Sequence, residues 1–335
     1  MRHPLPQTWR TASPLPKGAA AALKTCARLT RRGMARLGGA LAVGAIAVAG
    51  LVSGPAQAAP ASVLWDRWTA HDPNSATQVD HSGWDRILKQ YVSMRTDGVT
   101  VVDYDRLKTD DRGALDAYVA QLEATPVSAL NRDEQFAYWV NFYNALTVKV
   151  IVDNYPTDSI RDVDISPGFF ADGPWGAPLV TVEGEPLTLD DMEHRILRPI
   201  WNDPRIHYAV NCAAVSCPNL QPEAYTAANR ETLLNNGARA YVNDPRGVVL
   251  EQGQLRVSSI YDWFEEDFGG SDAGVIAHIQ QFAGPELQRR LRGVRRIAGD
   301  DYDWSLNDVA AQPKPSPLVQ RRRFSSGGGT RSTGS

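Results

Sequence analysis

The sequence predicts an α+β fold: a single domain with a buried central helix, several amphipathic helices and a small, mainly antiparallel sheet. Three observations predict it. Residues 136–152 are apolar on all sides at helical spacing, several shorter segments carry one apolar helical face, and residues 179–187 and 247–260 have the pattern of strands joined by turns. These segments follow one another without a strand-helix-strand rhythm, which favours α+β over α/β.

Both ends of the chain are predicted to lie outside this domain. Residues 1–58 contain eight basic and no acidic side chains, followed by small apolar residues and the sequence AQA, which is typical of a cleaved export signal. The arginine pair at 31 and 32 leaves both the general and the twin-arginine export routes open. An uncleaved anchor helix is the alternative, whereas cleavage leaves no stable membrane anchor. Residues 312–335 are rich in Pro, Gly, Ser and Arg and are predicted to form a disordered basic tail.

The remaining body is strongly acidic. We expect a helical N-terminal lobe over residues 59–125 and a core over residues 126–311. Together these residues carry 22 basic and 38 acidic side chains, a formal charge of −16. Because such a body repels phosphate backbones, nucleic acid is not expected as a partner. The expected partner is a small molecule or an envelope component, met by a secreted, periplasmic or envelope-associated protein.

The elements of the N-terminal half follow from periodicity. Residues 83–94 place Trp84, Ile87, Leu88, Tyr91 and Val92 on one helical stripe. A short strand is predicted over residues 99–107 and another amphipathic helix over residues 115–124.

The central helix carries one candidate functional residue. Asn144 falls in line with Val140, Thr147 and Ile151, so its amide is predicted to be buried and to need hydrogen-bond partners. Either it ties a neighbouring loop to the core, or it orients a catalytic group.

The C-terminal half begins with a helix over residues 188–200, where Thr188 is a plausible N-cap. Glu193 lies inside the apolar stripe of this helix and His194 on its flank, and the partner of the Glu193 carboxylate is either an arginine, backbone amides or His207. The alternation over residues 206–210 predicts a strand that turns His207 away from its apolar face. Helices over 233–244, 261–270 and 272–283 follow, and residues 302–308 close the fold.

Residues 205–220 hold His207, Cys212 and Cys217, and three chemistries fit them. Outside the cytosol, Cys212 and Cys217 would form a disulfide, which stabilises so short a ring by about 2 kcal/mol. Alternatively, the two thiolates and His207, with His194 or Glu193, would bind zinc, although the cysteine spacing is longer than usual for structural zinc. Otherwise no cofactor is expected.

The third chemistry is nucleophilic catalysis. His207 would be the base, Glu193 the residue that orients it, and Cys212 or Cys217 the nucleophile, because a thiolate needs a base and nearby backbone N–H groups. Asn144 and His194 complete the set of catalytic candidates. A direct test is alkylation of the native protein, which would modify a reactive thiol and leave a disulfide untouched.

Five segments of the chain are similar to a known protein family. Residues 136–156, 173–199, 203–220, 257–269 and 302–308 resemble the domain of unknown function 547 family. The resemblance covers roughly Glu134 to Asp308 and implies no established reaction. It implies an exported bacterial member of that family, and it places every candidate residue named above inside a segment that is similar to the family's.

Two functions are therefore compatible with the sequence. The first is a thiol-dependent hydrolase or acyl transferase that uses the Cys/His/Glu cluster. The second is a non-catalytic ligand-binding module of the envelope or wall, in which the Cys212–Cys217 disulfide shapes a loop beside Trp175 and Trp263.

Overall fold

The structure is a computed structural model that describes residues 60–167 and 173–320. The predicted export signal therefore lies outside the described residues. Within them, the α-helices are α1 (Ser82–Tyr91), α2 (Tyr104–Arg106), α3 (Arg112–Glu123), α4 (Arg132–Asn154), α5 (Arg198–Trp201), α6 (Arg230–Val242), α7 (Ile260–Trp263), α8 (Asp272–Phe282), α9 (Pro285–Leu291) and α10 (Pro317–Gln320). Short 3-10 helices span Asp66–Thr69, Val127–Ala129, Ile160–Asp162 and Pro204–Tyr208, and π-helices span Leu107–Asp111 and Asp191–Leu197.

Helix α4 is the predicted central helix. The side chain of Asn131 accepts hydrogen bonds from the backbone N–H groups of Asp133 and Glu134, which fixes its start. All but a few of its residues are buried, as an apolar surface on every side predicts. It ends before Pro156, which has no N–H to continue a helix.

Seven short strands in residues 60–167 and 173–320 form three small sheets. The hairpins are β1 (Val92–Met94) with β2 (Thr100–Val102) and β3 (Val180–Val182) with β4 (Glu185–Leu187). A third sheet joins β5 (Val248–Glu251), β6 (Gln254–Ser258) and β7 (Ile297–Asp301), where β5 pairs antiparallel and β7 parallel to β6. The α+β class is thus confirmed, and its mainly antiparallel sheet pairing has one parallel exception.

The described residues contain two hydrophobic clusters. The larger surrounds α4 and includes residues of α1, α3 and the π-helix Asp191–Leu197. The smaller lies between α6, α8 and the β5-β6-β7 sheet. The 3-10 helix Pro204–Tyr208 joins them, because Ile206 packs in the larger cluster and Tyr208 in the smaller.

The predicted strand over residues 206–210 is wrong. These residues belong to the 3-10 helix Pro204–Tyr208 and its end. The Asp203 side chain accepts a hydrogen bond from the backbone N–H of Arg205, and Pro204 occupies the first helical position, where its missing N–H costs nothing. These local signals outweigh an alternation only five residues long.

The predicted helix over residues 188–200 begins as expected and then differs. Thr188 Oγ1 accepts from the N–H of Asp191, and Asp191 accepts in return from the N–H of Thr188, which forms a reciprocal cap. The next turns are π-helical, with the N–H of Arg198 donating to the carbonyl of Glu193. The N-terminal segment meets this stretch: Val63 N donates to His194 O and Trp65 N to Arg195 O, both at 3.0 Å.

The helix predicted over residues 261–270 is also shorter than expected, because only α7 is helical before a run of turns. Residues 302–308 close the fold as predicted. Val102 N donates to Asn307 O, and Leu306 N to Asp158 O. Of the predicted disordered tail, residues 312–320 are described; Leu318 is buried in α10, and the remaining tail residues lie outside the described ranges.

Candidate functional site

The π-helix and the 3-10 helix bring three predicted residues together. Glu193, His194 and His207 are all buried. His207 Nδ1 lies 3.5 Å from Glu193 Oε1, so the suspected pairing of this carboxylate with His207 is present. Tyr143 of α4 also contributes a hydrogen bond to Glu193.

The other side of His207 contacts a residue that sequence reasoning missed. His207 Nε2 lies 2.7 Å from Asp267 Oδ2, and the same oxygen accepts from Arg198 Nε at 2.6 Å. Arg198 also approaches His194 Nδ1 at 3.0 Å and donates to the carbonyl of Pro60. The ring of Phe264 stacks on His207 with a centroid separation of 4.1 Å. We call Glu193, His194, Arg198, His207 and Asp267 the buried charge cluster.

The charges of this cluster follow from its contacts. Burial alone would lower the pKa of His207, but its hydrogen bonds to Asp267 and Glu193 outweigh burial and raise it above 6.5. Burial opposes ionisation of Glu193, yet the charges of His194, His207 and Arg198 lower its pKa to about 2. Burial lowers the pKa of His194 to about 4, so His194 is neutral at pH 7. At that pH, His207 and Arg198 are the cations that keep Glu193 ionised.

Cys212 and Cys217 meet at the edge of this region. Both are free thiols in the structure, and their Sγ atoms lie 2.7 Å apart, inside van der Waals contact and within reach of a disulfide bond. The backbone N–H of Cys212 points at Cys217 Sγ at 2.8 Å, and the Tyr302 hydroxyl lies 3.2 Å from Cys212 Sγ. Cys212 is partly exposed, whereas Cys217 is buried.

The two thiols differ in acidity. Burial and the neighbouring Cys217 sulfur raise the pKa of Cys212. Burial would also raise the pKa of Cys217, but hydrogen bonds from the Cys212 thiol and backbone N–H outweigh it, so the net pKa of Cys217 is lowered. The more acidic sulfur is therefore the less accessible one.

The loop that carries both cysteines is fixed from several sides. Buried Arg246 donates to the carbonyls of Val215 and Cys217, each at 3.1 Å. The Tyr241 hydroxyl donates to Ser216 O, and Asn211 Nδ2 donates to the carbonyl of Pro218. Ala213 holds a positive φ of 58°, an unusual angle for a residue with a Cβ. Side-chain hydrogen bonds from Arg246, Tyr241 and Asn211 thus fix this loop in addition to the contacts of the two sulfur atoms.

Asn144 supports the same loop from α4. Its Nδ2 donates to Ala209 O at 2.9 Å, and its Oδ1 accepts from the N–H of Asn211 at 2.8 Å. Its amide is buried and makes two hydrogen bonds to backbone groups. This agrees with the prediction that Asn144 connects the central helix to a neighbouring loop. A catalytic role for Asn144 stays a prediction.

The contacts of His207 do not include either cysteine. Among the residues that the structure describes, both ring nitrogens face carboxylates, Nδ1 toward Glu193 and Nε2 toward Asp267. A protonated ring that donates to two carboxylates has no lone pair with which to accept a thiol proton. In these ranges, no group of three or more His, Cys, Asp or Glu side chains could hold a metal ion, so the described side chains lend the zinc alternative no support.

Four aromatic side chains meet beside the cysteine loop. We call Trp175, Trp263, Tyr302 and Trp304 the aromatic surface, and all four are partly exposed. Ring centroids lie 4.7 Å apart for Tyr302 and Trp304, 4.9 Å for Trp263 and Tyr302, 5.5 Å for Trp263 and Trp304, and 5.7 Å for Trp175 and Trp304. Three segments far apart in sequence thereby form one patch, and Tyr302 links it to Cys212 through its hydroxyl.

The comparison with protein families matches the part of the chain that contains Asn144, Glu193, His207 and the two cysteines. Residues 127–242 match the model of a family described as "Protein of unknown function, DUF547". This match confirms the resemblance to the DUF547 family over these residues. No curated protein and no solved structure matches the chain. The DUF547 match includes α4, the π-helix, the 3-10 helix and the cysteine loop, and it ends at the last residue of α6.

Several contributors to the site lie beyond the DUF547 match. Asp267, Trp263, Tyr302 and Trp304 follow it in sequence. The motif resemblance over residues 257–269 and 302–308 pointed to these segments without singling out Asp267 or Tyr302. Asp267 stands in an acidic run that is typical of a solvated surface, and only the fold places it against His207.

Proposed function

We propose that this protein is a non-catalytic ligand-binding protein of the cell envelope, which binds an envelope component on the aromatic surface. The observation that carries the proposal is the convergence of Trp175, Trp263, Tyr302 and Trp304, all partly exposed, in one patch. Large aromatic rings that remain accessible on a rigid support are typical of binding sites, because they bury much apolar area at little entropic cost.

Hydrogen bonds hold the loop beside the aromatic surface in place. Tyr302 contacts Cys212, and the cysteine loop is held by Arg246, Tyr241 and Asn144. We propose that Cys212 and Cys217 form a structural disulfide in the exported protein, which their 2.7 Å separation permits. Export itself is proposed from the basic and apolar character of residues 1–58 and the AQA sequence that ends them.

The test is binding to purified envelope material. The mature chain would be sedimented with washed cell-wall and membrane fractions, and the bound fraction would be measured against protein concentration. We expect Trp263→Ala and Trp175→Ala to weaken binding by about tenfold each, the loss typical of buried aromatic contacts. Trp65→Ala is the control, since Trp65 is also partly buried but stacks with Arg195, outside the aromatic surface. Unchanged binding by both aromatic-surface variants would refute the proposal.

A thiol-dependent hydrolase or acyl transferase is the second candidate, favoured by one observation. The pKa of Cys217 is lowered, as a nucleophilic thiol requires. Against it, the Cys217 side chain is buried and His207 donates to two carboxylates instead of contacting a thiol.

Intact mass after alkylation separates the two candidates. A structural disulfide predicts that no thiol is capped even after unfolding and that the mass is lower by two hydrogen atoms than that of the dithiol. One rapidly capped thiol in the native protein would favour the hydrolase. In that case Cys217→Ala should abolish hydrolysis of a thioester probe, whereas Ser216→Ala should leave it unchanged in a protein that keeps its fold.

A further inference from the structure

The two sulfur atoms of the cysteine loop differ in their access to solvent. Cys212 is partly exposed, whereas Cys217 is buried, with 3% of its surface exposed. Thiol–disulfide exchange begins when a thiolate attacks one sulfur of a disulfide, so access decides which of the two is attacked. In a disulfide between these residues, Cys212 is therefore the end that an external thiol can reach in the folded protein.

The other sulfur is placed to leave. When Cys212 Sγ is attacked, Cys217 Sγ departs with the electron pair of the S–S bond and becomes a thiolate. The backbone N–H of Cys212 points at Cys217 Sγ at 2.8 Å, which stabilises a negative charge there. Burial would raise the pKa of Cys217, but hydrogen bonds from the Cys212 thiol and this N–H outweigh it and lower the pKa. Because a more acidic thiol leaves faster, these contacts favour exchange in this direction.

The cysteine loop keeps its hydrogen bonds when the sulfur atoms are not bonded to each other. The structure has both cysteines as free thiols, with their Sγ atoms 2.7 Å apart. In this form Arg246 donates to the carbonyls of Val215 and Cys217, and the Tyr241 hydroxyl donates to Ser216 O. These hydrogen bonds hold the two sulfur atoms side by side, so breaking or forming the S–S bond requires no unfolding.

We propose that the Cys212–Cys217 disulfide is a thiol-exchange site, which a small external thiol attacks at Cys212. This inference rests on the disulfide of the proposed function and adds a reaction to it. The external thiolate bonds to Cys212 Sγ as the S–S bond breaks, and Cys217 leaves as a thiolate. A second external thiolate then attacks the sulfur of the first, which releases a small disulfide and leaves Cys212 as a thiolate. Two thiol molecules are thereby oxidised to one disulfide, and the protein disulfide is reduced to two thiols.

A thiol bound to Cys212 would lie beside the aromatic surface. The Tyr302 hydroxyl lies 3.2 Å from Cys212 Sγ. The Tyr302 ring packs against Trp263 and Trp304, with centroid separations of 4.9 and 4.7 Å. The substituent of the attacking thiol thus meets the rings to which we assign ligand binding.

Reduction of the folded protein tests the exchange. The oxidised mature protein would be incubated with 2-mercaptoethanol, which is uncharged and is not repelled by the acidic body. Free thiols would be capped at intervals and counted by intact mass, in buffer and in concentrated urea. We expect the native rate to lie within about tenfold of the unfolded rate, because attack on an exposed sulfur needs no unfolding. A native rate lower than this would overturn the inference, since it would mean that the bond opens only through unfolding.

Single-cysteine variants test which sulfur is attacked. Each would be incubated with 2-hydroxyethyl disulfide, which forms the mixed disulfide of 2-mercaptoethanol with an accessible thiolate. Native Cys217→Ala should acquire one adduct, whereas native Cys212→Ala should react at least about tenfold more slowly, because its remaining thiol is buried. Similar rates for both variants in urea are the control for the intrinsic reactivity of the two thiols. An equal or faster native reaction of Cys212→Ala would overturn the inference.

The failure of this inference and the failure of the proposed function give different results. Two cappable thiols in the exported protein after unfolding would refute the disulfide and the exchange together. A disulfide that resists 2-mercaptoethanol in the native state would refute the exchange alone. Envelope binding through Trp263 is measured independently, and its absence would refute the proposed ligand binding without changing the result for the exchange.

Discussion

Single residues decide how the site is held, and Asn144 is the clearest case. Its amide connects two backbone groups of the loop that leads to Cys212, with one hydrogen bond to each. Asp267 is the second case, because one of its oxygens accepts from both His207 and Arg198. Each of these side chains joins segments that are at least 60 residues apart in sequence, so its removal should have a measurable effect on stability.

Asn144→Ala should lower the free energy of unfolding by about 2–4 kcal/mol. The variant leaves the carbonyl of Ala209 and the N–H of Asn211 buried without partners, and each unpaired group costs about 1–3 kcal/mol. Thr147→Val, one turn later on the same helix, is the control, because the Thr147 hydroxyl is buried without a hydrogen-bond partner in the described residues. Urea unfolding would measure both. A loss for Asn144→Ala no larger than that for Thr147→Val would contradict the account.

His207→Gln should destabilise the protein in a pH-dependent manner. The pKa of His207 is raised above its ordinary value of 6.5 in the folded state, so protonation favours folding. The contribution of the imidazolium is complete below pH 6.5 and is lost as the pH rises through the folded pKa. The difference in unfolding free energy between wild type and variant should therefore be larger at pH 5.5 than at pH 9. A difference that grows with pH would show that His207 is neutral in the folded protein.

At the scale of elements, the N-terminal segment and the cysteine loop are fixed mainly by backbone hydrogen bonds. Val63 and Trp65 donate to carbonyls of the π-helix, and Arg198 donates to Pro60. The π-helical turns direct these carbonyls to the N-terminal segment. In the cysteine loop, Arg246 holds the backbone in place by donating to the carbonyls of Val215 and Cys217 and to the side chain of Asn219.

A chain that starts at Asp66 should be less stable than one that starts at Pro60, by about 2–4 kcal/mol. Three hydrogen bonds to the π-helix and Arg198 are lost, each with a net value of about 0.5–1.5 kcal/mol. Hydrogen exchange should also quicken at the amides of α5, which follows the π-helix directly. Equal thermal midpoints for the two chains would show that residues 60–65 do not support this helix.

Arg246→Ala should cost more stability than removal of both sulfur atoms. Closing a ring of this size stabilises by about 2 kcal/mol. Truncating Arg246 leaves the carbonyls of Val215 and Cys217 without this partner, at about 1–3 kcal/mol each, while Asn219 Oδ1 keeps its hydrogen bond from Thr100 N. Denaturant unfolding of Arg246→Ala and of the Cys212→Ala, Cys217→Ala double variant would compare them directly. The reverse order would mean that the sulfur atoms, and not Arg246, set the shape of the loop.

Local patterns predicted some elements well and others not at all. Helix α4 was predictable because apolar residues on all sides leave no alternative to burial. The 3-10 helix Pro204–Tyr208 differs from the predicted strand because five alternating residues are compatible with either period, and the Asp203-Pro204 pair starts a helix. Strand β7 was not predicted, because it pairs in parallel with β6 and such a pair has no tight hairpin turn that a sequence pattern could reveal. Nothing in residues 188–200 distinguishes a π-helix from an α-helix.

At the scale of the whole molecule, the site lies where the two hydrophobic clusters meet. Trp175 and Trp304 pack on the larger cluster, and Trp263 and Tyr302 on the smaller. The sequence left His207 as one of three possible partners of Glu193 and indicated the proximity of the two cysteines. It did not predict the contact of Asp267 with His207 or the packing of the four aromatic rings against one another. Both depend on contacts between distant segments, which local sequence periodicity does not indicate.

The two clusters should unfold together. The buried charge cluster spans them, since Arg198 and His207 on one side bind Asp267 on the other. Thermal unfolding followed by far-UV and near-UV circular dichroism should give coincident midpoints, as expected for a single cooperative transition. Two separated transitions would show that the smaller cluster is an independent unit.

The end of the DUF547 match at Val242 has a practical consequence for anyone who excises that region. A fragment of residues 127–242 would contain His207 and Arg198 without the aspartate that neutralises them. Cys212 would lose the tyrosine hydroxyl beside it, and three of the four rings would be missing. The region defined by sequence similarity is thus smaller than the unit that folds. A fragment should extend at least to Asp267, so that it includes the carboxylate that pairs with Arg198 and His207.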